Sequence, residues 1–308
     1  MQVHHHEQMV LPGTVPAEPD FVTLTSADGT RIEAWSNRAE GPIVLLCNGL
    51  GTNPWCWPAL LDPECGVHVI SWNHRGTGNS ERPAPGKSFG IDAFVEDALA
   101  VMDHFGVDRA PAMGWSMGVN TAFELAFLHP ERVSGLFAVG GVPGGTFSSM
   151  LAPLGVPRRL RALLTVNAAR LMGLFGTPLH RLAEIAPLGP KVVQALTHSG
   201  FMLPTPDNAN TLEAVTRFLQ TPIDWYMKMA VETSKHVRVS LRTIAVPTTF
   251  VAGRYDVLAS AKDMLSASER IKDAEYVEYK ASHFLPMERP DEVHGHLLEL
   301  IGRVREAE

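Results

Sequence analysis

The residues Gly114-Trp115-Ser116-Met117-Gly118 join an apolar run at 111–115 to a helical pattern at 117–128 with no loop between them. A chain that turns from strand straight into helix forces its junction residue into a strained backbone conformation, and small residues two before and two after relieve the crowding. Few folds contain such a step. It holds a serine hydroxyl at the tip of the turn, above a helix N-terminus whose free N–H groups and dipole favour a developing negative charge. The pattern G-x-S-x-G carries this meaning only at a strand–helix junction, which is where it stands here.

The rest of the chain supplies a suitable frame. Short apolar runs at 43–47, 67–72, 111–115, 133–139, 247–253 and 274–280 alternate with helical patterns, which predicts a mostly parallel, doubly wound α/β sheet of about eight strands. The segments 21–25 and 31–36 flank Asp28-Gly29 and read as an opening hairpin. Phe94, Ala98, Val101, Met102 and Phe105 mark the buried face of one helix, and Val293, Leu297, Leu300, Ile301 and Val304 that of a closing helix at 291–305.

The interval 146–238 behaves differently. It lacks strand candidates, is broken by Pro157, Pro178, Pro187, Pro190, Pro204, Pro206 and Pro222, and holds five of the twelve methionines. It carries ten Lys or Arg against five Asp or Glu, inside a chain whose net charge is −7. We read it as a helical insertion between two strands, so that 1–145 and 239–308 form the core domain and 146–238 a cap.

A serine hydroxyl needs a base, and the base an orienting acid. In this architecture the chain order is serine, acid, histidine. Thirteen histidines compete. His283 directly follows the last apolar run and precedes the closing helix, so it is the expected base. His294 and His296 lie within that helix and read as surface or packing residues. His68, His74, His104 and His129 stand in the wrong order, and His180, His198 and His236 fall in the insertion. Asp256 ends the loop that follows the run 247–253, beyond the carboxyl end of a strand, where active-site groups of open sheets gather. Asp263 reads as a solvated first-turn carboxylate of the next helix.

These residues resemble the α/β-hydrolase fold superfamily, in the branch with a helical cap after the sixth strand. The resemblance runs from about Phe21 to Arg305 and rests on the serine elbow, Asn48-Gly49-Leu50-Gly51, the loop from Asn73 to Ser80, Ala252-Gly253-Arg254-Tyr255-Asp256 and Ser282-His283. It implies an oxyanion hole from the backbone N–H groups of Leu50 and Met117, and by analogy with capped relatives an apolar acyl pocket with Trp115 and Trp225 among its contacts. Asn48 stands where such chains usually have His, and Asn73 where they usually have Asp. Epoxide hydrolases and haloalkane dehalogenases of this fold use an Asp nucleophile, which Ser116 replaces.

The expected activity is that of a serine carboxylesterase acting on esters, lactones or thioesters through an acyl-enzyme. Two alternatives use the same residues: a carbon–carbon bond hydrolase or perhydrolase, and a hydrolase-like small-molecule receptor. No G-x-G-x-x-G follows a strand, and no H-E-x-x-H or paired-cysteine motif occurs, so neither a nucleotide cofactor nor a metal is expected. The pI near 6.0 offers no basic footprint for nucleic acid. The charge-free stretch 133–157 contains six Gly and three Pro and reads as strand plus loop rather than a membrane span. Cys47, Cys56 and Cys65 make no C-x-x-C, and no secretory signal is visible, so a reducing, cytoplasmic setting is expected. His4-His5-His6 reads as a solvated tail or an expression remnant. The sequence leaves the oligomeric state open.

Overall fold

In the computed structural model, which describes residues 18–176, 189–237 and 239–307, Asp20–Thr25 (β1) and Arg31–Ser36 (β2) pair antiparallel. The turn between them needs Gly29, whose φ is +85°. Ile43–Cys47 (β3), His68–Trp72 (β4), Ala110–Trp115 (β5), Val133–Val139 (β6), Thr248–Gly253 (β7) and Ala274–Tyr279 (β8) complete one sheet. Its order is β1-β2-β4-β3-β5-β6-β7-β8, and every pairing from β4 to β8 is parallel. The expected eight-stranded, mostly parallel sheet is therefore present.

Helices cover both faces because the inner strands are apolar on both sides, as parallel sheets require. β5, β6 and β7 are buried along their whole length. Ile91–His104 (α1) and Gly118–Leu128 (α2) pack into one core cluster with Phe250 and Met264. Phe94, Ala98, Val101 and Met102 of α1 are fully buried, while Phe105 is partly buried at the helix end.

Between β6 and β7 the described residues form helices and no strand: Thr146–Ser149 (α3), Arg158–Leu174 (α4), Pro190–Thr197 (α5), Asn208–Leu219 (α6) and Ile223–Thr233 (α7). The prolines punctuate them as their missing N–H dictates. Pro157 and Pro222 are the N-cap residues of α4 and α7, and Pro190 opens α5. Pro178, Pro187 and His180 lie outside the described residues, as do His4, His5 and His6. Trp225, Tyr226 and Met229 of α7 join the same core cluster as Phe94 and Val119, so this segment shares its interior with the sheet and its helices.

Ala261–Ser268 (α8) follows β7, Leu285–Glu288 (α9) is a single turn, and Pro290–Ala307 (α10) closes the chain. The five apolar residues expected on the face of α10 are all buried. Each contributes about 1.5–3 kcal/mol, which fixes the helix across β6 and β7. His294 Nε2 donates to Cys65 O at 2.8 Å, and His296 bridges Tyr279 and Glu299, so both are packing residues. The three cysteines are free, and burial raises the thiols of Cys47 and Cys56 far from reactivity.

Candidate active site

Ser116 stands at φ +55°, the left-handed region that β-strand-to-helix geometry imposes on the junction. Its N–H bonds Val139 O at 3.0 Å, which ties the turn to the end of β6. The two flanking glycines are needed for space. A Cβ on Gly114 would sit 2.6 Å from Val119 Cα, and one on Gly118 would collide with the carbonyl of Cys47. Met117 is the N-cap of α2, so its N–H is among those a helix leaves without an internal partner.

Three side chains converge at the carboxyl ends of β5, β7 and β8. His283 Nε2 lies 2.9 Å from Ser116 Oγ, and His283 Nδ1 lies 2.8 Å from Asp256 Oδ2. Asp256 is fully buried, and its other oxygen accepts from the backbone N–H groups of Leu258 at 2.7 Å and Ala259 at 2.8 Å. Those bonds leave Oδ2 free to face the imidazole. The structure thus brings together Ser116, Asp256 and His283. Asp263 lies on α8, where its N–H bonds the Ser260 side chain and its carboxylate faces Arg161 at 3.8 Å.

The loop after β3 runs against this group. Gly49 approaches Ser116 so closely that a Cβ there would lie 3.2 Å from Ser116 Cβ. Thr52 closes the turn by donating its N–H and its hydroxyl to Gly49 O at 3.2 and 3.0 Å. Leu50 is the half-buried residue at the tip. Gly51, at φ +75°, lies under Phe218 of α6 and Tyr226 of α7, whose rings stack at 4.6 Å. Asn48 donates to Ser71 Oγ at 2.9 Å, and its own carbonyl oxygen is buried without a partner. Asn73 donates to the buried carboxylate of Glu33 at 2.6 Å, which an Asp could not do at neutral pH.

Trp115 lies behind the imidazole. Its indole N–H donates to His283 O at 3.0 Å, and the two rings are 5.9 Å apart. Trp225 donates its indole N–H to Arg75 O at 2.7 Å and lies against Phe89 and Arg82. Arg75 is itself a buried bidentate partner of Asp97, at 2.9 and 2.8 Å. Sequence reasoning missed Glu288. Its Oε1 accepts from Leu203 N at 2.8 Å and from the Ser282 hydroxyl, and its Oε2 accepts from Ser282 N at 2.8 Å. The signal was a lone carboxylate after the apolar run Phe284-Leu285-Pro286-Met287.

A groove of about 640 Å³ lined by Thr23, Glu96, Asp103, His129 and Arg132 includes none of the three converging residues. Among the described residues no group of three or more His, Cys, Asp or Glu is placed to hold a metal, and no helix is long and apolar enough to cross a membrane. A hydroxyl, an imidazole and a carboxylate in one hydrogen-bonded line beside two backbone segments are the groups that acyl transfer to a serine requires.

Residues 42–290 match the family described as the alpha/beta hydrolase fold. The chain is 30% identical over 140 residues to epoxide hydrolase B of Mycobacterium tuberculosis, covering 40% of this chain and 39% of that protein. It is 25% identical over 287 residues to 3-oxoadipate enol-lactonase 2 of Acinetobacter baylyi, covering 91% and 95%. The chain spans less than half the length of its relatives at 30% identity or more. Among solved structures, a thermophilic esterase from Thermogutta terrifontis superposes with a TM-score of 0.67 at 21% identity, covering 92% of this chain and 99% of that one, a likeness of fold.

Proposed function

The chain belongs to the α/β-hydrolase fold family, and from that premise we propose that it is a serine hydrolase of carboxylic esters, lactones or thioesters. The observation that carries the reading is the unbroken line from Ser116 Oγ through His283 to Asp256, at 2.9 and 2.8 Å. Ser116 attacks the acyl carbonyl while His283 Nε2 takes its proton. Asp256 holds the imidazole with Nδ1 protonated and stabilises the cation that forms. The N–H groups of Leu50 and Met117 receive the developing oxyanion, each worth roughly 10²–10³ in rate. The tetrahedral intermediate then collapses, and His283 delivers its proton to the departing alcohol or thiol. Water repeats the sequence on the acyl-enzyme.

The full-length likeness to an enol-lactonase supports a carbonyl substrate. The epoxide hydrolase likeness covers less than half of either chain, and the Asp nucleophile expected of that branch is replaced here by Ser116. In this reading the segment 146–238 is a cap over the core formed by 1–145 and 239–308, and Phe218 and Tyr226, above Gly51, bound the acyl side of the site. Trp115 and Trp225 are proposed contacts of this wall through their ring faces, since both indole N–H groups are taken up by backbone carbonyls. An apolar acyl chain fits this wall, with each buried methylene contributing up to about 0.8 kcal/mol.

A panel of p-nitrophenyl esters, lactones and thioesters of graded length tests the assignment. Burst kinetics followed by steady turnover are expected. Ser116→Ala should lose at least roughly 10³-fold in kcat and all fluorophosphonate labelling. Asp256→Asn should cost up to about 10⁴-fold, and Asp263→Asn less than about twofold. Labelling that persists in Ser116→Ala, or full turnover in Asp256→Asn, overturns the triad. A slow single turnover in the wild type would mark a receptor.

A further inference from the structure

We propose that the solvent face of α4 docks on an anionic lipid surface. The argument begins with the helix itself. At 100° per residue, Leu160, Leu164, Leu171 and Phe175 fall on one line, with Leu163 and Leu174 beside it. All six are between 46% and 79% exposed. The opposite face, through Ala162, Thr165, Val166 and Ala169, is the one that packs: α4 lies against α3 and α7, and Thr165 Oγ1 bonds Phe147 O at 3.2 Å. An amphipathic helix ordinarily turns its larger apolar side chains inward, yet this one carries them on the outside, interrupted by Asn167 alone. Six such residues in one stripe form a patch of roughly several hundred Å², far beyond scattered surface hydrophobics.

Charge decides the occupant. Arg159 and Arg170 border the stripe on one side and Arg161 on the other, and Arg158 opens the helix. α4 contains no acid, and the chain has no Asp or Glu between Arg132 and Arg181. Arg161 is engaged by Val156 O at 2.7 Å and by Asp263, which leaves Arg159 and Arg170 exposed along one margin of the apolar strip. A second copy of the chain docked face to face would set arginines against arginines. A bilayer with acidic headgroups accepts both features at once: leucines enter the acyl boundary while the guanidinium groups stay at the phosphates. With 17 residues and four arginines, α4 lies on such a surface rather than through it. This also gives the basic excess of 146–238 a use that neither the sheet nor the triad requires.

The test uses the full chain and vesicles of phosphatidylcholine with or without phosphatidylglycerol, read by co-sedimentation. Binding to the mixed vesicles is expected, weakening with salt. Two marginal arginines at about fivefold each predict on the order of a 25-fold preference over neutral vesicles. The variant Leu163→Ser, Leu164→Ser, Leu171→Ser keeps every arginine and should lose vesicle binding while retaining its melting temperature and its turnover of a soluble ester. Absence of wild-type binding overturns the proposal. Equal binding by the serine variant does so too, because charge alone would then suffice. A wild-type dimer in sedimentation velocity that the serine substitutions dissolve would assign the face to a second copy.

Discussion

Glu288 holds Ser282 by both its amide and its hydroxyl, and Ser282 is the residue directly before His283. The same carboxylate reaches Leu203 in the segment between β6 and β7, so one side chain links the histidine loop to the helices above it. Glu288→Ala would strand three donors in a buried setting. A loss of about 3 kcal/mol in unfolding free energy is expected, with kcat down roughly tenfold as the imidazole loses its fixed position. Urea denaturation and ester turnover measure the two; unchanged kcat would show that the clamp serves folding alone.

Ser116 occupies the left-handed region at φ +55°, a conformation that costs a non-glycine residue about 1 kcal/mol. Ser116→Ala keeps that cost and Ser116→Gly removes it. Glycine normally destabilises by roughly 0.5–1 kcal/mol relative to alanine through chain entropy. At this position the glycine variant should be at least as stable as the alanine variant, and both should be inactive. A glycine variant less stable by about 1 kcal/mol would show that the turn stores no strain.

Asn73 and Glu33 form a matched pair at 2.6 Å, supported by Asn79, whose side chain donates to Glu33 Oε1 at 2.5 Å. Asn73→Asp would place a second carboxylate against a buried first one. A destabilisation of about 2–3 kcal/mol at neutral pH is expected, relieved by adding Glu33→Gln. If the double variant is no more stable than Asn73→Asp, charge repulsion is not the cause.

Burial lowers the His74 imidazole to about 4, against Trp72 and Phe94. The unfolded chain takes up a proton at this residue below about pH 6.5, while the folded chain refuses it until about pH 4. The unfolded state therefore binds more protons between those values, and stability falls as pH falls through that window, by up to about 3 kcal/mol. His74→Phe should flatten this part of the stability profile. Parallel profiles for the two proteins would assign the acid sensitivity to other groups.

The parts legible in the sequence share one physical origin: they are local. The serine elbow leaves its trace because a strand turning directly into a helix needs Gly114 and Gly118 within five residues. The face of α10 is legible because 3.6-residue periodicity repeats within one element. Asp256 and His283 are placed by the order of strands. What escaped was set by distant partners. Glu288 gains its meaning from Leu203, 85 residues away, and Asn73 from Glu33, 40 residues away. An aromatic in a helical insertion has no local signature that separates lining from anchoring, and the bond from Trp225 to Arg75 O spans 150 residues.

The placement of Trp225, Tyr226 and Met229 inside the main core cluster bears on how such a chain can be recombined. A chimera that exchanges the whole stretch between β6 and β7 for that of a relative would remove three side chains that fill the interior beside α1 and α2, and the recipient would inherit a hole. The seam of a modular exchange belongs instead at Thr221-Pro222, between α6 and α7. Upstream of that seam the outward faces of α4 and α5 are free to diversify on the scaffold, whereas Met202, Leu203 and Ala214, which meet the core and Glu288, and α7, although it arrives within the insertion, are bound to the lineage of the sheet.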